Sequence, residues 1–533
     1  LRNAPDKWYY LTADINVSGQ TWQPLPEFSG VLDGCGHKVY NFMLSATSVG
    51  EDFGFIRKNK GMIRNLTLSD FTVSVSVDKS CGVGALVGSN SGLIDECVVE
   101  ECVGTYVSTD TYITVNFGAM VGYNGATVSD CQVEAKFVVT SSFSHDVWDY
   151  ISDTLNIGLL LGRNEGTADN CTAVGSVSST VYRETGSWNI SYFVNIGGLV
   201  GEQSDKGTIQ SSSAGASVSL SGTAGKRTSG YGKIGGLVGR NYGKIVGSYT
   251  LSGTTVQSGG TQEMLTGGLV GRNEASGAID SCYSFATAIA DGGYSQLGGF
   301  VGHNSGTVRS CFAYGTVNGK TSNGRVGGFC GCNDANGTLY KNYCISSIES
   351  NCQTNYFVQL NEGTVSKNYY LNTSIAMYKG GLCEQGNESN AEALAYDKLF
   401  SQDCLIGTLG WNESGWVIVI DDSPMLETEF LHGHNFKTKT YDHSCENDGF
   451  TVYICADCRK VVIYDYVEKL GHDWQHQFDS EPTCTIEGFT QEKCSRCNTE
   501  RKINVTPSIG HLHDTVVSEE HKPTCTKSGY YVY

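Results

Sequence analysis

The sequence predicts an all-β protein: an elongated parallel, right-handed β-solenoid (β-helix) followed by small cysteine-rich β modules at the C-terminus. A glycine-containing phrase recurs with a period between roughly 30 and 40 residues, which is typical of stacked repeats. The 533 residues include 67 glycines but only 7 prolines, a composition that favours short strands joined by glycine turns. Closely spaced cysteines begin only near the C-terminus.

Charge and hydropathy restrict the class of partner. The formal net charge is −19. This charge argues against binding to nucleic acid or to an anionic membrane, because both require clustered Lys and Arg. No apolar run approaches the ~18 residues that a membrane span requires, so we expect no membrane-spanning segment in this chain. Because the sequence begins at Leu1 without a signal-like segment, we expect it to be an excerpt of a longer protein.

Residues 1–52 are predicted to be N-terminal capping strands. They contain the alternating segments WYYLTADINVSG and FSGVLDGCGHKVYNFML around a glycine turn. An uncapped solenoid exposes a strand edge that promotes aggregation, and a covering element prevents this.

Residues 53–375 carry the repeat, best represented by IGGLVGRNYGKIVGSYT at 234–250. Degenerate copies occupy 53–66 and 357–370, and each segment is too short for a helix, so one layer should comprise about three short strands in a stack of about ten layers. Parallel stacking favours a right-handed crossover. The first glycines of the regular copies are Gly84, Gly118, Gly158, Gly197, Gly235, Gly267, Gly298 and Gly327.

An amide side chain lies six residues after each of these glycines. Asn tolerates left-handed backbone and can hydrogen-bond to the same residue in adjacent layers. We therefore expect a stacked amide ladder at one corner of the solenoid. Its members are Asn90, Asn124, Asn164, Gln203, Asn241, Asn273, Asn304 and Asn333.

A second column contains small or apolar residues, among them several cysteines. A redox or nucleophilic role would need a recurring His or Lys beside the thiols, and none recurs, so we interpret them as inward-facing packing residues. The column comprises Leu66, Cys97, Cys131, Cys171, Ser212, Ser248, Cys282 and Cys311.

Carboxylates precede this column and would stack about 5 Å apart in successive coils. Such a cluster could serve as an acid and base pair or hold calcium. We favour a solvent-facing edge that blocks sideways association, because the column is interrupted at Ser129, Val246 and Arg309. The acids are Asp95, Glu96, Asp130, Asp169 and Asp280.

The repeats between residues 105 and 192 contain extra length rich in aromatic residues. Aromatic rings on loops of a rigid scaffold can stack on sugars or on the side chains of a protein ligand. The alternative is that these segments lengthen strands and bury their rings. The candidate ligand-binding residues are Tyr106, Tyr112, Trp148, Tyr150, Tyr182, Trp188 and Tyr192.

Residues 376–430 form a predicted closing segment, in which Trp411 and Trp416 cover the last coil. A new module then repeats with a period near 40. Its boundaries are predicted at 431–470 and 471–509, with a truncated third copy at 510–533. Each complete copy reads Cys-x9-Cys-x2-Cys-x13-His.

Three thiolates and an imidazole suit a closed tetrahedral zinc site, and small modules need such a staple. The pattern therefore predicts two structural zinc sites, formed by Cys445, Cys455, Cys458 and His472, and by Cys484, Cys494, Cys497 and His511. The upstream His434 and His472 compete for the fourth ligand position, although their spacing to the next cysteine varies. Disulfides within or between modules are the alternative in an oxidising compartment.

The phrase GGLVGRNYGKIVGSY resembles the GLUG motif of large bacterial surface proteins, which include adhesins and the non-catalytic part of some IgA-cleaving metallopeptidases. The C-terminal modules resemble the Cys-x-x-Cys and Gly-His-x-Trp repeats of Gram-positive surface proteins. These resemblances imply a secreted or wall-attached protein and carry no catalytic residue to this chain. The His-Glu-x-x-His motif of the metallopeptidase relatives is absent from the sequence.

Together these features predict an extracellular, non-enzymatic, adhesin-like protein whose monomeric solenoid presents a binding surface for a host or community surface glycan or protein. The alternative is the accessory region of a glycan-active enzyme or surface peptidase, or a carboxylate-based site on the solenoid edge.

Overall fold

The computed structural model describes residues 1–371 except 19, 109–112, 144–150, 184–189, 223–229, 261–262, 321–322 and 352. Beyond 371 it describes 376–378, 391–394, 416–417 and 425–426, then 436–532 except 447–448, 456–460, 468 and 511–517. The chain forms two compact units, Leu1–His432 and Gly433–Tyr533. All regular elements in the described part are β-strands, numbered β1 to β62 in chain order.

The first unit is a parallel β-solenoid whose successive coils stack four sheets, so the predicted fold class is confirmed. We name the sheets I to IV in the order in which one coil visits them. Sheet I has nine strands, most of which end at the repeat glycine. They are β11 (Cys81–Gly84), β15 (Thr114–Gly118), β19 (Ile151–Gly158), β23 (Ile190–Gly197), β27 (Gly230–Gly235), β32 (Glu263–Gly267), β37 (Tyr294–Gly298), β42 (Asn323–Gly327) and β47 (Gln353–Asn355).

Sheet II has eleven strands, and nearly all of them end at the amide column. They are β3 (Leu25–Phe28), β7 (Ile56–Asn59), β12 (Val87–Asn90), β16 (Val121–Asn124), β20 (Leu161–Asn164), β24 (Val200–Gln203), β28 (Val238–Asn241), β33 (Val270–Asn273), β38 (Val301–Asn304), β43 (Cys330–Asn333) and β48 (Val358–Asn361).

Sheet III has twelve strands of three residues each. They are β1 (Trp8–Tyr10), β4 (Val31–Asp33), β8 (Met62–Arg64), β13 (Leu93–Asp95), β17 (Thr127–Ser129), β21 (Thr167–Asp169), β25 (Thr208–Gln210), β29 (Lys244–Val246), β34 (Ala278–Asp280), β39 (Thr307–Arg309), β44 (Thr338–Tyr340) and β49 (Thr364–Ser366).

Sheet IV has twenty strands of widely varying length. They are β2 (Ile15–Asn16), β5 (Lys38–Tyr40), β6 (Met43–Val49), β9 (Thr67–Ser69), β10 (Phe71–Val77), β14 (Val98–Ser108), β18 (Gln132–Phe143), β22 (Thr172–Arg183), β26 (Ser213–Gly222), β30 (Tyr249–Thr250), β31 (Thr255–Gly260), β35 (Tyr283–Ser284), β36 (Thr287–Asp291), β40 (Phe312–Ala313), β41 (Thr316–Gly319), β45 (Tyr343–Cys344), β46 (Ser347–Ser350), β50 (Tyr369–Leu371), β51 (Ala376–Tyr378) and β52 (Glu392–Leu394).

Residues 1–52, which we predicted to be N-terminal capping strands, supply strands to the first coils of the solenoid. The strand β1 pairs in parallel with β4, and β3 pairs in parallel with β7. The segment therefore shares the hydrogen-bonding pattern of the repeats that follow, although its sequence lacks their glycine phrase.

The turn from sheet I to sheet II explains the repeat glycine. At Gly235 an added Cβ would lie 2.0 Å from the backbone O of Val238, a separation that no side chain tolerates. The chain bends so sharply here that only glycine fits, and Leu237 and Val238 then enter the core with no exposed surface.

The corner between sheets III and IV has left-handed backbone in successive coils. The residue that directly follows each strand of sheet III from β8 to β49 has φ between 48° and 57°. At most of these positions the side chain is partly or fully exposed, so the position accepts varied polar residues. They are Asn65, Glu96, Asp130, Asn170, Ser211, Gly247, Ser281, Ser310, Lys341 and Lys367.

The amide column forms the expected hydrogen-bonded ladder at the end of sheet II. Its side chains from Asn59 to Asn333 have no exposed surface, and each asparagine Nδ2 in that range donates to the amide oxygen of the next coil at 2.7–2.8 Å. The ladder runs from Asn59 to Gln203 and resumes from Asn241 to Asn361. At Gln203 the longer side chain directs Nε2 to the backbone O of Lys244 at 3.4 Å.

The thiol column packs in the core as expected. Cys131 and Cys311 have no exposed surface, and burial raises the pKa of each of their thiols well above the usual range for cysteine. Cys131 Sγ contacts the backbone O of Ser129 at 3.0 Å, and Cys311 Sγ contacts that of Arg309 at 3.0 Å. Because the reactive form of a thiol is the thiolate, these residues are unreactive packing groups.

The second unit contains three small antiparallel sheets. The first comprises β55 (Phe436–Tyr441), β56 (Gly449–Cys455) and β57 (Val461–Val467), and the second comprises β58 (Trp474–Ser480), β59 (Gly488–Cys494) and β60 (Glu500–Thr506). The third is the hairpin β61 (Glu519–His521) and β62 (Tyr530–Val532). Near the end of the first unit, β53 (Trp416–Val417) pairs in antiparallel fashion with β54 (Met425–Leu426).

Candidate functional site

Four metal-ligand side chains converge in the second unit. Cys445, His472, Cys494 and Cys497 each offer one ligand atom, and all four atoms lie within 4.8 Å of one another. The Sγ atoms of Cys445 and Cys494 are 3.8 Å apart, and Cys497 Sγ lies 3.3 Å from His472 Nδ1. The residues come from three separate segments, so the tertiary fold assembles the cluster.

The turn between β59 and β60 presents the Cys494–Cys497 pair. Within it, the Cys494 N–H donates to the backbone O of Thr499 at 2.8 Å, and the Asn498 N–H donates to the O of Cys494 at 3.0 Å. Asn498 has φ of 61°, a left-handed conformation that asparagine tolerates. This tight turn directs both sulfur atoms to the same side.

The segment before β58 positions His472 against that turn. The Ser495 N–H donates to the backbone O of Asp473 at 2.9 Å, and Ser495 Oγ donates to Asp473 Oδ2 at 2.6 Å. Gly471, with φ of 63°, turns the chain into this segment. The contacts fix the histidine backbone next to the cysteine pair.

The His472 ring is held on both sides. Its Nε2 faces Glu446 Oε1 at 3.4 Å, and its plane packs on Trp474 with ring centroids 4.5 Å apart. A carboxylate on the second ring nitrogen is the usual support for a metal-binding histidine, because it fixes the ring orientation and leaves the other nitrogen free to coordinate.

Cys445 lies in the loop between β55 and β56, in the preceding sheet. The Leu470 N–H donates to the backbone O of Ser444 at 2.8 Å, which ties this loop to the segment carrying His472. Burial raises the pKa of the Cys445 thiol to about 11, with further contributions from Cys497 and Cys494. The neutral thiol is therefore favoured there when no cation is bound.

The turn cysteines have the opposite tendency. Burial raises the pKa of Cys494, but hydrogen bonds from the backbone N–H groups of Cys497 and Arg496 and from the His472 ring lower it to about 6. Hydrogen bonds from Thr499 lower the pKa of Cys497. The His472 pKa is raised, chiefly by its hydrogen bond with Cys494. The turn thus stabilises the thiolates of Cys494 and Cys497, which are the metal-binding form.

This donor set fits zinc. In tetrahedral coordination with Zn–S bonds of about 2.3 Å, two sulfur ligands lie about 3.8 Å apart, which matches the separation of Cys445 and Cys494. Three sulfur atoms and one imidazole complete four positions, a closed set typical of structural rather than catalytic zinc.

The structure groups these ligands differently from the sequence pattern, which took the three cysteines of each site from one module and the histidine from the start of the next. Cys445 and His472 meet Cys494 and Cys497, the cysteine pair of the following module. His472 therefore lies upstream of the pair it accompanies, which is the histidine alternative that the sequence left open. The equal spacing of all copies does not reveal which copies touch.

The remaining predicted ligands lie elsewhere. Cys484 is exposed and is not a member of the cluster. The side chain of Cys455 lies outside the described residues, as do Cys458, His434 and His511. No signal in a single module distinguishes Cys484 from Cys445, since the distinction arises from contacts between modules.

The predicted aromatic platform is wrong at Tyr106. This residue is 1% exposed, and its ring packs between Phe117 and Phe137, with centroid distances of 4.7 and 5.2 Å. The extra sequence there lengthens β14 and β18 and fills the core, which was the alternative reading. Tyr112, Trp148, Tyr150 and Trp188 and the side chains of Tyr182 and Tyr192 lie outside the described residues.

Three of the five carboxylates of the acidic edge are paired with neighbouring coils. Asp95 Oδ1 accepts a hydrogen bond from Ser129 Oγ at 2.5 Å, and Asp130 Oδ1 accepts one from Asn170 Nδ2 at 2.6 Å. Arg309 Nη2 lies 2.5 Å from Asp280 Oδ2. These acids therefore bridge adjacent coils at the surface of sheet III.

Comparison with known proteins gives limited matches. No family model matches the chain. A curated protein from Evansella cellulosilytica, a putative Gly-rich membrane protein, is 35% identical over 97 residues, which is 17% of this chain and 11% of that protein. The chain thus spans about a tenth of that relative's length.

A solved structure, a putative immunoglobulin A1 protease from Bacteroides ovatus, is 16% identical to the chain with a TM-score of 0.23. The alignment covers 79% of this chain and 86% of that one. A TM-score this low carries no argument about function. In the described part of this chain, no helix has the length and apolar character needed to cross a membrane.

Proposed function

We propose that this chain is part of an extracellular, surface-associated protein in which the solenoid is a non-catalytic shaft that presents a binding surface. The observation that carries the proposal is the amide ladder, which repeats with the same geometry from Asn59 to Asn361 apart from its interruption at Gln203. The repeat phrase thus serves to stack coils. A surface location agrees with the name of the Gly-rich membrane protein matched over 97 residues.

The pairing of the acidic edge supports a structural role for its carboxylates. Asp95 and Asp130 are hydrogen-bonded to the adjacent coil, whereas a general acid or base must have access to its substrate. The buried cysteines are equally unsuited to nucleophilic catalysis, because burial disfavours their thiolate form.

The ligand we propose is a glycan or protein of a host or community cell surface, bound by a monomeric solenoid. The test is binding of the full chain to glycan and surface-protein arrays, with Trp148→Ala and Trp188→Ala compared against Tyr314→Ala, an exposed aromatic of the shorter repeats. We expect binding that both tryptophan variants weaken and the control retains. Absence of binding to every probe would contradict the presenting role.

The competing function is hydrolysis of a polysaccharide at the acidic edge, or membership of a larger glycan-active enzyme or peptidase. It is tested by incubating the full chain with a polysaccharide panel and assaying for released reducing ends. Activity that disappears when Asp95, Glu96, Asp130 and Asp169 are all replaced by alanine would refute the non-catalytic proposal.

We further propose that Cys445, His472, Cys494 and Cys497 hold a structural zinc ion that clamps two consecutive sheets of the second unit. Small modules bury too little apolar surface to be stable without such a staple. The chemistry that the ion would supply is coordination alone. Metal analysis of the purified full chain should give zinc bound at this site, and a Cys445–Cys494 disulfide found by peptide mapping would contradict it.

A further inference from the structure

Sheets I and II each present one column of side chains toward the other along the solenoid. A residue in the sheet I column contacts the residue seven positions later in the sheet II column. Thus Asn195 meets Glu202, and Gln296 meets His303. The sheet I column consists of Asn116, Asn156, Asn195, Lys233, Leu265, Gln296, Arg325 and Gln353, aligned as Cα partners of adjacent coils.

The three asparagines at the start of this column are followed by a lysine in the next coil. Asn156 Nδ2 donates to Asn116 Oδ1 at 2.8 Å, and Asn195 Nδ2 donates to Asn156 Oδ1 at 2.7 Å. The next member is Lys233, the direct Cα partner of Asn195 in the parallel pair β23 and β27. Neighbouring strands lie only about 4.8 Å apart, so the two side chains leave the sheet side by side.

Lys233 is a buried amine. It is 4% exposed, and its Nζ lies 5.0 Å from the ring centroid of Phe193, in the coil that carries Asn195. Burial, with the nearby guanidinium groups of Arg240 and Arg272, lowers the lysine pKa to about 7. A large fraction of the amine is therefore neutral and nucleophilic at neutral pH.

Asn195 offers the matching electrophile. Its side chain has no exposed surface, and its Oδ1 is buried without a hydrogen-bond partner. Most buried carbonyl groups are hydrogen-bonded, so an unpartnered one requires an explanation, of which a reactive role is one. The amide carbon Cγ bears this oxygen, and its residue is the Cα partner of Lys233 on the adjacent strand.

Glu202 completes the group. It is 7% exposed, and its Oε2 accepts a hydrogen bond from Asn195 Nδ2, the nitrogen that would leave, at 3.2 Å. The guanidinium groups of Arg163 and Arg240 hold this carboxylate at 3.5 and 3.8 Å. A carboxylate in this position can accept a proton from the attacking amine and return it to the leaving nitrogen.

We propose that Lys233 and Asn195 form an intramolecular isopeptide bond that crosslinks two adjacent coils of the solenoid. Lys233 Nζ attacks Asn195 Cγ, the Cγ–Nδ2 bond breaks, and one molecule of ammonia leaves. Glu202 transfers a proton from the lysine amine to Nδ2 and is regenerated. The reaction changes no oxidation state and requires no co-reactant. It requires Nζ to swing from the Phe193 ring toward Asn195, two residues further along the same strand.

Along the sheet I column, within the described coils, Asn195 and Lys233 are the one adjacent pair that combines a side-chain amide with an amine. Arg325 lies between Gln296 and Gln353, but a guanidinium remains protonated and is a poor nucleophile. The arrangement of Arg325 between two glutamines therefore resembles the Asn195–Lys233 pair but is not expected to react.

The test is mass spectrometry of the full chain after denaturation and trypsin digestion. An isopeptide bond blocks cleavage after Lys233 and yields a branched species in which residues 184–206 are joined to residues 228–240, lighter than the two peptides by one ammonia molecule. Tandem fragmentation then locates the branch at Asn195 and Lys233. Free peptides 228–233 and 234–240, with unmodified or deamidated Asn195, would overturn the proposal.

Variants assign the roles. Lys233→Arg and Asn195→Ala should abolish the branched peptide, and Glu202→Gln should reduce it at least tenfold, whereas Asn116→Ala should leave it unchanged. Because the wild-type digest decides whether the bond exists, a variant that fails to fold does not obscure the result. Equal crosslinking in soluble, folded Glu202→Gln would overturn the proton-transfer role of Glu202.

Discussion

Cys445 and Cys494 are 49 residues apart in the chain, yet their Sγ atoms are 3.8 Å apart. One lies in the loop before β56 and the other at the end of β59, so the contact joins two separate antiparallel sheets. A metal ion bound by ligands from both sheets would make the stability of each sheet depend on the other. Modules with separate metal sites would not show this dependence.

Zinc content distinguishes this arrangement from one site per module. Cys445→Ser should remove about one equivalent of zinc from the full chain, since loss of one of four ligands greatly weakens a structural site. The matched control is Cys484→Ser, which changes the corresponding cysteine of the next module, exposed and outside the cluster. Metal analysis by plasma mass spectrometry measures both. Loss of about one equivalent of zinc from each variant would favour the within-module grouping, in which Cys445 and Cys484 are ligands of separate sites.

The amide ladder should contribute strongly to solenoid stability. Asn273 donates to Asn304 and accepts from Asn241, both at 2.8 Å. Replacing it with leucine leaves two buried amides each short of a partner, which should cost about 3 kcal/mol. Urea denaturation monitored by circular dichroism measures the shift. The exposed Asn336→Leu, in contrast, should change stability by no more than about 0.5 kcal/mol.

Tyr106 gives a prediction in the stabilising direction. Its hydroxyl is buried without a hydrogen-bond partner, and burial raises the pKa of the phenol well above its usual range. Tyr106→Phe removes the unsatisfied hydroxyl and keeps the ring contacts, so we expect a gain of about 1 kcal/mol. Tyr106→Ala should instead lose about 3–5 kcal/mol through the cavity it creates. Thermal unfolding of both variants checks the order, and a destabilised Tyr106→Phe would contradict it.

The Asp33–Arg64 pair predicts an acid-dependent contribution between coils. The Cys35 N–H and the Arg64 guanidinium, both at 2.8 Å, lower the pKa of Asp33 against the opposing effect of burial. A carboxyl whose pKa is lower in the folded state stabilises the protein above its unfolded pKa, near 4, and loses that contribution as the pH falls through the folded value.

Asp33→Asn should therefore lower stability at pH 6 by about 1 kcal/mol or less, since the pair is partly exposed. The difference from wild type should shrink as the pH falls from 5 to 2. Denaturation midpoints recorded across this range measure it, and a difference that does not change with pH would rule out the ionised pair as its source.

The sequence predicted the solenoid well because each coil repeats the same contacts. Glycine at the turn before Val238, asparagine at the ladder and a small residue at the thiol column each have one physical cause, repeated in every layer. The same regularity hid the interruption at Gln203, because the spacing of the column is unbroken and only the length of one side chain differs.

The metal cluster was predicted only in part. The residue types and the pairing of Cys494 with Cys497 followed from spacing, but the assignment of Cys445 to the next module's pair depends on how two sheets pack. Tyr106 was misplaced for a similar reason. An aromatic residue in an inserted segment fits a projecting loop or a longer strand equally well, and only the register of β14 with β18 decides between them.

The ladder also has an evolutionary consequence. Each coil hydrogen-bonds to the coils above and below it, and apart from the coil with Gln203 each regular repeat presents the same asparagine to both. Duplication or deletion of one repeat should therefore preserve the join and change the height of the stack by about 4.8 Å. Homologous chains can thus differ in solenoid length by whole numbers of coils while keeping the same side-chain columns on each sheet.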